Sequence, residues 1–137
     1  MHSIQQLHER ALEAARRFKQ AECDLVTIFQ ELDQTKAFAR LGHASLFEYG
    51  VKALGLSEAN TYAFIQVARK SREVPALMQA IQTGALTVSK AKKITSVITR
   101  EDQEDWLAKA RTLSKAGLEK EVRERILKPT STSARST

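Results

Sequence analysis

Few side chains in this sequence could do chemistry. His2, His8 and His43 are spaced too widely to form a recognisable ligand pair, and no His-Glu-x-x-His run occurs. Cys23 is the only cysteine, which excludes an internal disulfide framework and a multi-cysteine zinc site and fits a reducing, cytoplasmic setting. It falls on the outward face of the heptad pattern described below, with no histidine placed near it by local spacing, so an inert thiol is expected. Glu101, Asp102, Glu104 and Asp105 could hold a divalent cation, but carboxylates in a first helical turn are also what the helix dipole favours. There is no glycine-rich phosphate loop. The expectation is a protein that is not an enzyme, with no cofactor, no metal and no evident small-molecule substrate.

What remains is positive charge. The formal net charge is +6, and it is not evenly spread. Residues 56–100 carry Arg69, Lys70, Arg72, Lys90, Lys92, Lys93 and Arg100 against only Glu58 and Glu73, whereas residues 1–55 balance to zero. A polyanion would dock on the middle third. There, a short amphipathic helix from Leu46, a Gly55-Leu56-Ser57 turn and a second helix from Glu58 follow the plan of a helix-turn-helix. Gly55 can adopt the left-handed conformation that reverses the chain, and Ser57 can cap the second helix so that its first turn approaches phosphates. This places Ser57, Glu58, Asn60, Thr61 and Gln66 near a groove, where asparagine can read adenine. Arg69, Lys70, Arg72, Lys90, Lys92 and Lys93 would contact phosphate. If about five phosphates are neutralised, the logarithm of affinity should fall with the logarithm of salt at a slope of roughly −4 to −5. The same helix–glycine–helix pattern also serves as a structural turn in bundles, and Thr61 occupies a position where a buried aliphatic is usual.

The elements that must position these residues read as helical throughout. The 137 residues include only five glycines and two prolines and are dominated by strong helix formers; no strand pattern occurs, so the fold class is all-α. No apolar run approaches the roughly 18 residues of a membrane span, and no secretion signal opens the chain. Between Ser3 and Leu41 there is neither glycine nor proline, and Ile4, Leu7, Ala11, Ala14, Phe18, Ala21, Leu25, Ile28, Leu32 and Ala39 follow a three–four spacing. This segment, 1–41, either breaks near Gln20–Asp24 into a helical hairpin or pairs with a second copy through residues 4–39. In a parallel pair Arg17 would face Glu22 and Glu31 would face Lys36. Alternatively, Leu12, Val26, Phe29 and Phe38 widen the stripe for packing on the chain's own core.

Residues 42–128 then form a bundle of short helices. Ser45 opens Leu46–Leu54, Ser57 opens Glu58–Arg72, and Pro75 starts a helix closed by Gly84. Further helices begin near Thr87, at Thr99 and at Ser114. The tail 129–137 has nothing to bury and is expected to be disordered.

Several motifs resemble a known bacterial helical region: Leu-Gly-His-Ala-Ser-Leu-Phe-Glu-Tyr at 41–49, Leu-Gly-Leu-Ser-Glu-Ala-Asn-Thr-Tyr at 54–62, and Val-Ala-Arg at 67–69. Val-Pro-Ala-Leu at 74–77, Gly-Ala-Leu-Thr-Val-Ser-Lys-Ala at 84–91 and Ala-Arg-Thr-Leu-Ser at 110–114 follow in order. Together, over about residues 25–125, they resemble the region upstream of the nuclease in HNH-endonuclease-type proteins. Residues 55–91 also look like the helix-turn-helix core of ParB-type partition proteins, in which a Pro-led helix and a Gly-x-Leu-Thr-x-x-x-Ala helix follow. Both resemblances imply DNA binding, and the second puts Ser57, Glu58 and Asn60 at the start of a recognition helix. Asn60 is the only asparagine and has no metal-binding histidines around it, so nuclease activity is not carried over. The nucleotide-binding part of the partition proteins has no counterpart here, so no nucleotide is implied. The reading is a bacterial, nucleoid-associated DNA-binding protein, possible as a homodimer. Its rivals are a helical protein-interaction module and the non-catalytic part of a split HNH-type nuclease.

Overall fold

A computed structural model describes residues 3–128, and within them the protein is all-helical. The tail expectation for 129–137 lies outside the described residues. The first helix, α1 (Ile4–Thr35), runs unbroken for 32 residues, about 48 Å at the usual rise. Its start follows from the sequence: Ser3 Oγ accepts from Gln6 N–H at 3.1 Å and Gln6 Oε1 accepts from Ser3 N–H at 2.9 Å, a reciprocal cap. It ends at Lys36, which takes the left-handed φ of 57° and donates its N–H to the Leu32 carbonyl. The hairpin alternative is thereby corrected. No glycine or proline interrupts the backbone ladder near Gln20–Asp24, and the helix goes straight through. The continuous segment is also shorter than 4–39, because Ala39 belongs to a separate turn, α2 (Ala37–Arg40).

Ser45 caps α3 (Leu46–Glu48) through a hydrogen bond from Glu48 N–H at 3.0 Å, and the chain widens at once into a π-helical turn, Tyr49–Ala53. Glu48 turns its carboxylate back to the Ala44 N–H and the His43 ring, both at 3.2 Å. The Ala44 N–H above all, with Lys52 and His43 nearby, holds that carboxyl below the usual range. Gly55, at φ +72°, supplies the reversal that leads into α4 (Glu58–Glu73). Then follow α5 (Pro75–Gln82), α6 (Val88–Ile94), α7 (Gln103–Thr112) and α8 (Lys115–Leu127).

Two of these are shorter than the apolar pattern suggests. Val97 and Ile98 are buried, but past the end of α6, where the chain has already turned. Thr99–Asp102 forms a turn instead of helix, with Asp102 Oδ1 accepting from both the N–H and the hydroxyl of Thr99. The acidic run therefore has local work: Asp102 closes this turn and Asp105 pairs with Lys109 at 3.3 Å.

The core forms around α4, which packs against α1, α3, α5 and α6. Val26 and Phe29 of α1, Phe64 and Val67 of α4, Leu77, Ile94, Trp106 and Leu118 belong to one buried cluster, with the Phe29 and Phe64 rings 5.7 Å apart. Cys23 belongs to it too, contrary to the expectation of an outward position. The bundle packs mainly on the face of Cys23, Val26 and Phe29, and of the Ile4–Leu32 stripe only Leu25 and Leu32 pack partly against it. The middle of the stripe lies about 100° around the helix from the middle of that face, at about 100° per residue. Burial, with Asp24 alongside, pushes the Cys23 thiol up, as befits a core sulfur.

Candidate nucleic-acid interface

The first turn of α4 is open. Ser57, Glu58, Ala59 and Asn60 are all exposed, and Ser57 Oγ accepts from Asn60 N–H at 3.0 Å, so the cap assigned to Ser57 forms. Following the helix, Glu58, Tyr62, Gln66 and Arg69 share one solvent-facing side, spaced three and four residues apart. Tyr62 is half-exposed there, and Lys92 of α6 holds its ammonium 5.2 Å from the centre of the tyrosine ring. Phe47, Tyr62, Gln66 and Arg69 line a groove of about 460 Å³ between α3 and α4. A second cleft, about 210 Å³, has Asn60, Ser89, Lys92 and Lys93 on its walls, together with Glu22 of α1. Burial raises the Glu22 carboxyl, and when ionised it subtracts from the field of the two lysines.

Thr61 does not belong to this face. It is 0% exposed and points at the π-helical turn, where a Cβ built on Gly50 would come within 2.5 Å of Thr61 Cγ2. It fills the buried position between the two helices that usually takes an aliphatic, and its hydroxyl has no hydrogen-bond partner among the described residues. Thr61 is therefore withdrawn from the groove-contacting set.

The cations divide sharply by their bonding. Asp33 of α1 accepts from Arg69 Nη2 at 3.0 Å, from Arg69 Nε at 3.1 Å and from Arg72 Nη2 at 2.8 Å. The Asp33 side chain is 10% exposed, and the Arg69 hydrogen bonds, joined by the charges of Arg69, Arg72 and Lys36, hold its carboxyl below the ordinary range. Lys90 donates to the Leu113 carbonyl at 2.6 Å, Lys93 pairs with Glu119, Lys70 pairs with Glu73 at 3.6 Å, and Arg100 donates to the Glu73 carbonyl at 2.9 Å. Lys90 and Lys93 thus tie α6 to α8 and the segment before it, and Arg69 and Arg72 tie α4 to α1. Arg69 keeps a side chain 53% exposed despite its pair, and Lys92 is held only by a ring face, so these two flank the open side of α4.

Charge counting along the chain could not separate pinned from available cations, because, Lys70 apart, the partners lie 23 to 39 residues away. Tyr62 and Phe47 escaped the sequence reading altogether; the signal for Tyr62 was its three–four spacing from Glu58, Gln66 and Arg69. Among the described residues no group of three or more His, Cys, Asp or Glu side chains could hold a metal ion, and no helix is long and apolar enough to cross a membrane. Compared with protein-family models, curated proteins and solved structures, the chain matches none.

Proposed function

We propose that the protein binds DNA through α4, presented after the Gly55 turn like the second helix of a helix-turn-helix and acting at the bacterial nucleoid. The observation that carries this reading is the open N-terminal turn of α4, continued by a solvent-facing side of Glu58, Tyr62, Gln66 and Arg69 and flanked by Lys92. Unsatisfied N–H groups and the positive end of the dipole favour phosphate at such a start. Asn60 and Gln66 are the residues suited to base edges, and Arg69 and Lys92 to phosphate. Ser57 acts by shaping the turn.

Because Arg72, Lys90 and Lys93 already hold protein partners, fewer phosphates are neutralised per chain than the sequence total suggests. A salt-titrated gel-shift series should give a slope near −2 to −3, about two to three phosphates. Lys92→Ala should reduce that slope by about one. Absence of binding at 50 mM salt, or binding indifferent to salt, would refute the reading. A second reading, a helical interaction module, draws support from a specific feature: α1 exposes apolar side chains along its first 18 residues, with Ile4 88% and Phe18 64% exposed. Reversing the charge at Lys92 separates the two, abolishing DNA binding while sparing any association through α1.

A further inference from the structure

The stripe of α1 is exposed from Ile4 to Ala21 and again at Ile28, while Leu25 and Leu32 are partly buried against the chain's own core. Only its C-terminal end borders the face that packs on the bundle, and Ile28 there is still half-exposed. A helix whose first half touches little else needs a partner for that stripe to be stable in water. We infer that this partner is a second copy of the chain, and that the two α1 helices pair antiparallel about a two-fold axis between Lys19 and Gln20.

Three observations select this arrangement. The first is volume. A parallel pair would stack Ala11, Ala14 and Ala21 each on itself, leaving thin layers beside a crowded Phe18 pair. The antiparallel register sets Ala11 on Ile28, Ala14 on Leu25 and Phe18 on Ala21, so these three central layers each join one small residue to one large one, with Leu7 beside Leu32 at either end. The second is that the ion pairs favouring a parallel pair are lost in the fold. Glu22 lines the cleft toward α4 and α6, and Lys36 lies beyond the end of α1 in a left-handed conformation, off the helical register. The third is charge. In the antiparallel register Arg10 faces the second copy's Glu31, and Arg17 faces its Asp24, each pair occurring twice by symmetry; all four residues lie within α1 and are exposed. This inference stands on α1 alone and is independent of the DNA reading.

The test is sedimentation of the full chain at concentrations up to about 100 µM, with a charge-swap cycle. The intact protein should be a dimer. Arg17→Glu or Asp24→Arg alone should raise the dimer dissociation constant at least tenfold, and the double variant R17E/D24R should recover most of that loss. Both sites are exposed, so circular dichroism should show the bundle intact throughout. Orientation is read separately with Leu7→Cys in a Cys23→Ala background. In the antiparallel pair the two thiols sit about 37 Å apart and do not cross-link, whereas in a parallel pair they face one another. A monomer across the concentration range, a double variant no better than the singles, or efficient cross-linking at Leu7→Cys would each overturn the inference.

Discussion

Replacing Asp33 by asparagine should move stability and DNA affinity in opposite directions. The carboxylate is nearly enclosed and accepts three hydrogen bonds, from Arg69 at 3.0 and 3.1 Å and from Arg72 at 2.8 Å. Breaking a fully buried pair costs about 3–5 kcal/mol, and an exposed one about 0–1. Here the anion is enclosed, but the guanidinium groups are a third to a half exposed, which places Asp33→Asn at about 1–2 kcal/mol. For a domain of this size that lowers the melting temperature by roughly 4–8 °C.

The pH dependence has a fixed sign. The folded Asp33 carboxyl lies below its unfolded value, near 3.9, so its contribution is fully present above that value and is lost as pH falls through the folded pKa. The stability gap between wild type and D33N, measured by urea denaturation, should therefore be constant from pH 5 to 7 and close below about pH 4. Meanwhile the variant releases Arg69, on the open side of α4, from its internal anion. DNA affinity at low salt should rise about three- to tenfold, with the salt slope steeper by about one. If D33N weakens or does not alter DNA binding while the fold persists, Arg69 does not face the DNA. If D33N melts like wild type, the α1–α4 ion pair contributes nothing.

Other expectations follow from single sites. Thr61→Val removes a buried hydroxyl that has no partner among the described residues while keeping its volume, so it should stabilise by about 1 kcal/mol in thermal denaturation and leave DNA affinity unchanged. Gly50→Ala should destabilise by about 1–3 kcal/mol, because the new methyl meets Thr61 Cγ2, and Thr61→Ala in the same chain should recover much of that loss. Lys36→Gly should stabilise by about 0.5–1 kcal/mol, since glycine takes the left-handed helix end without the strain a side chain brings; an unchanged melting temperature would show that the strain is absorbed elsewhere.

What was legible in the sequence, and what was not, divides by range. Helix starts set by Ser3, Ser45, Ser57, Thr87 and Ser114 could be read directly, because a cap is decided by a residue and its neighbours two or three positions on. The Gly55 turn was legible for the same reason. Which side of α1 faces the interior was not. Its heptad stripe is the stronger periodic signal, yet the interior takes Cys23, Val26 and Phe29, a weaker pattern whose meaning depends on Phe64 being brought against it from 35 residues away. One helix carries two apolar faces, and periodicity alone cannot say which is satisfied within the chain. The same limit governs the candidate site. Composition located the positive charge in the middle third, but Asp33, Glu119 and the Leu113 carbonyl, all outside that third, decide which cations are held. Of the cationic residues expected to meet phosphate, the folded chain leaves Arg69 and Lys92 beside the open side of α4 and assigns Lys90 and Lys93 to holding the last helices in place. The cost of misreading them is testable in one comparison. Lys93→Ala should lower stability more than it lowers DNA affinity, and Lys92→Ala the reverse.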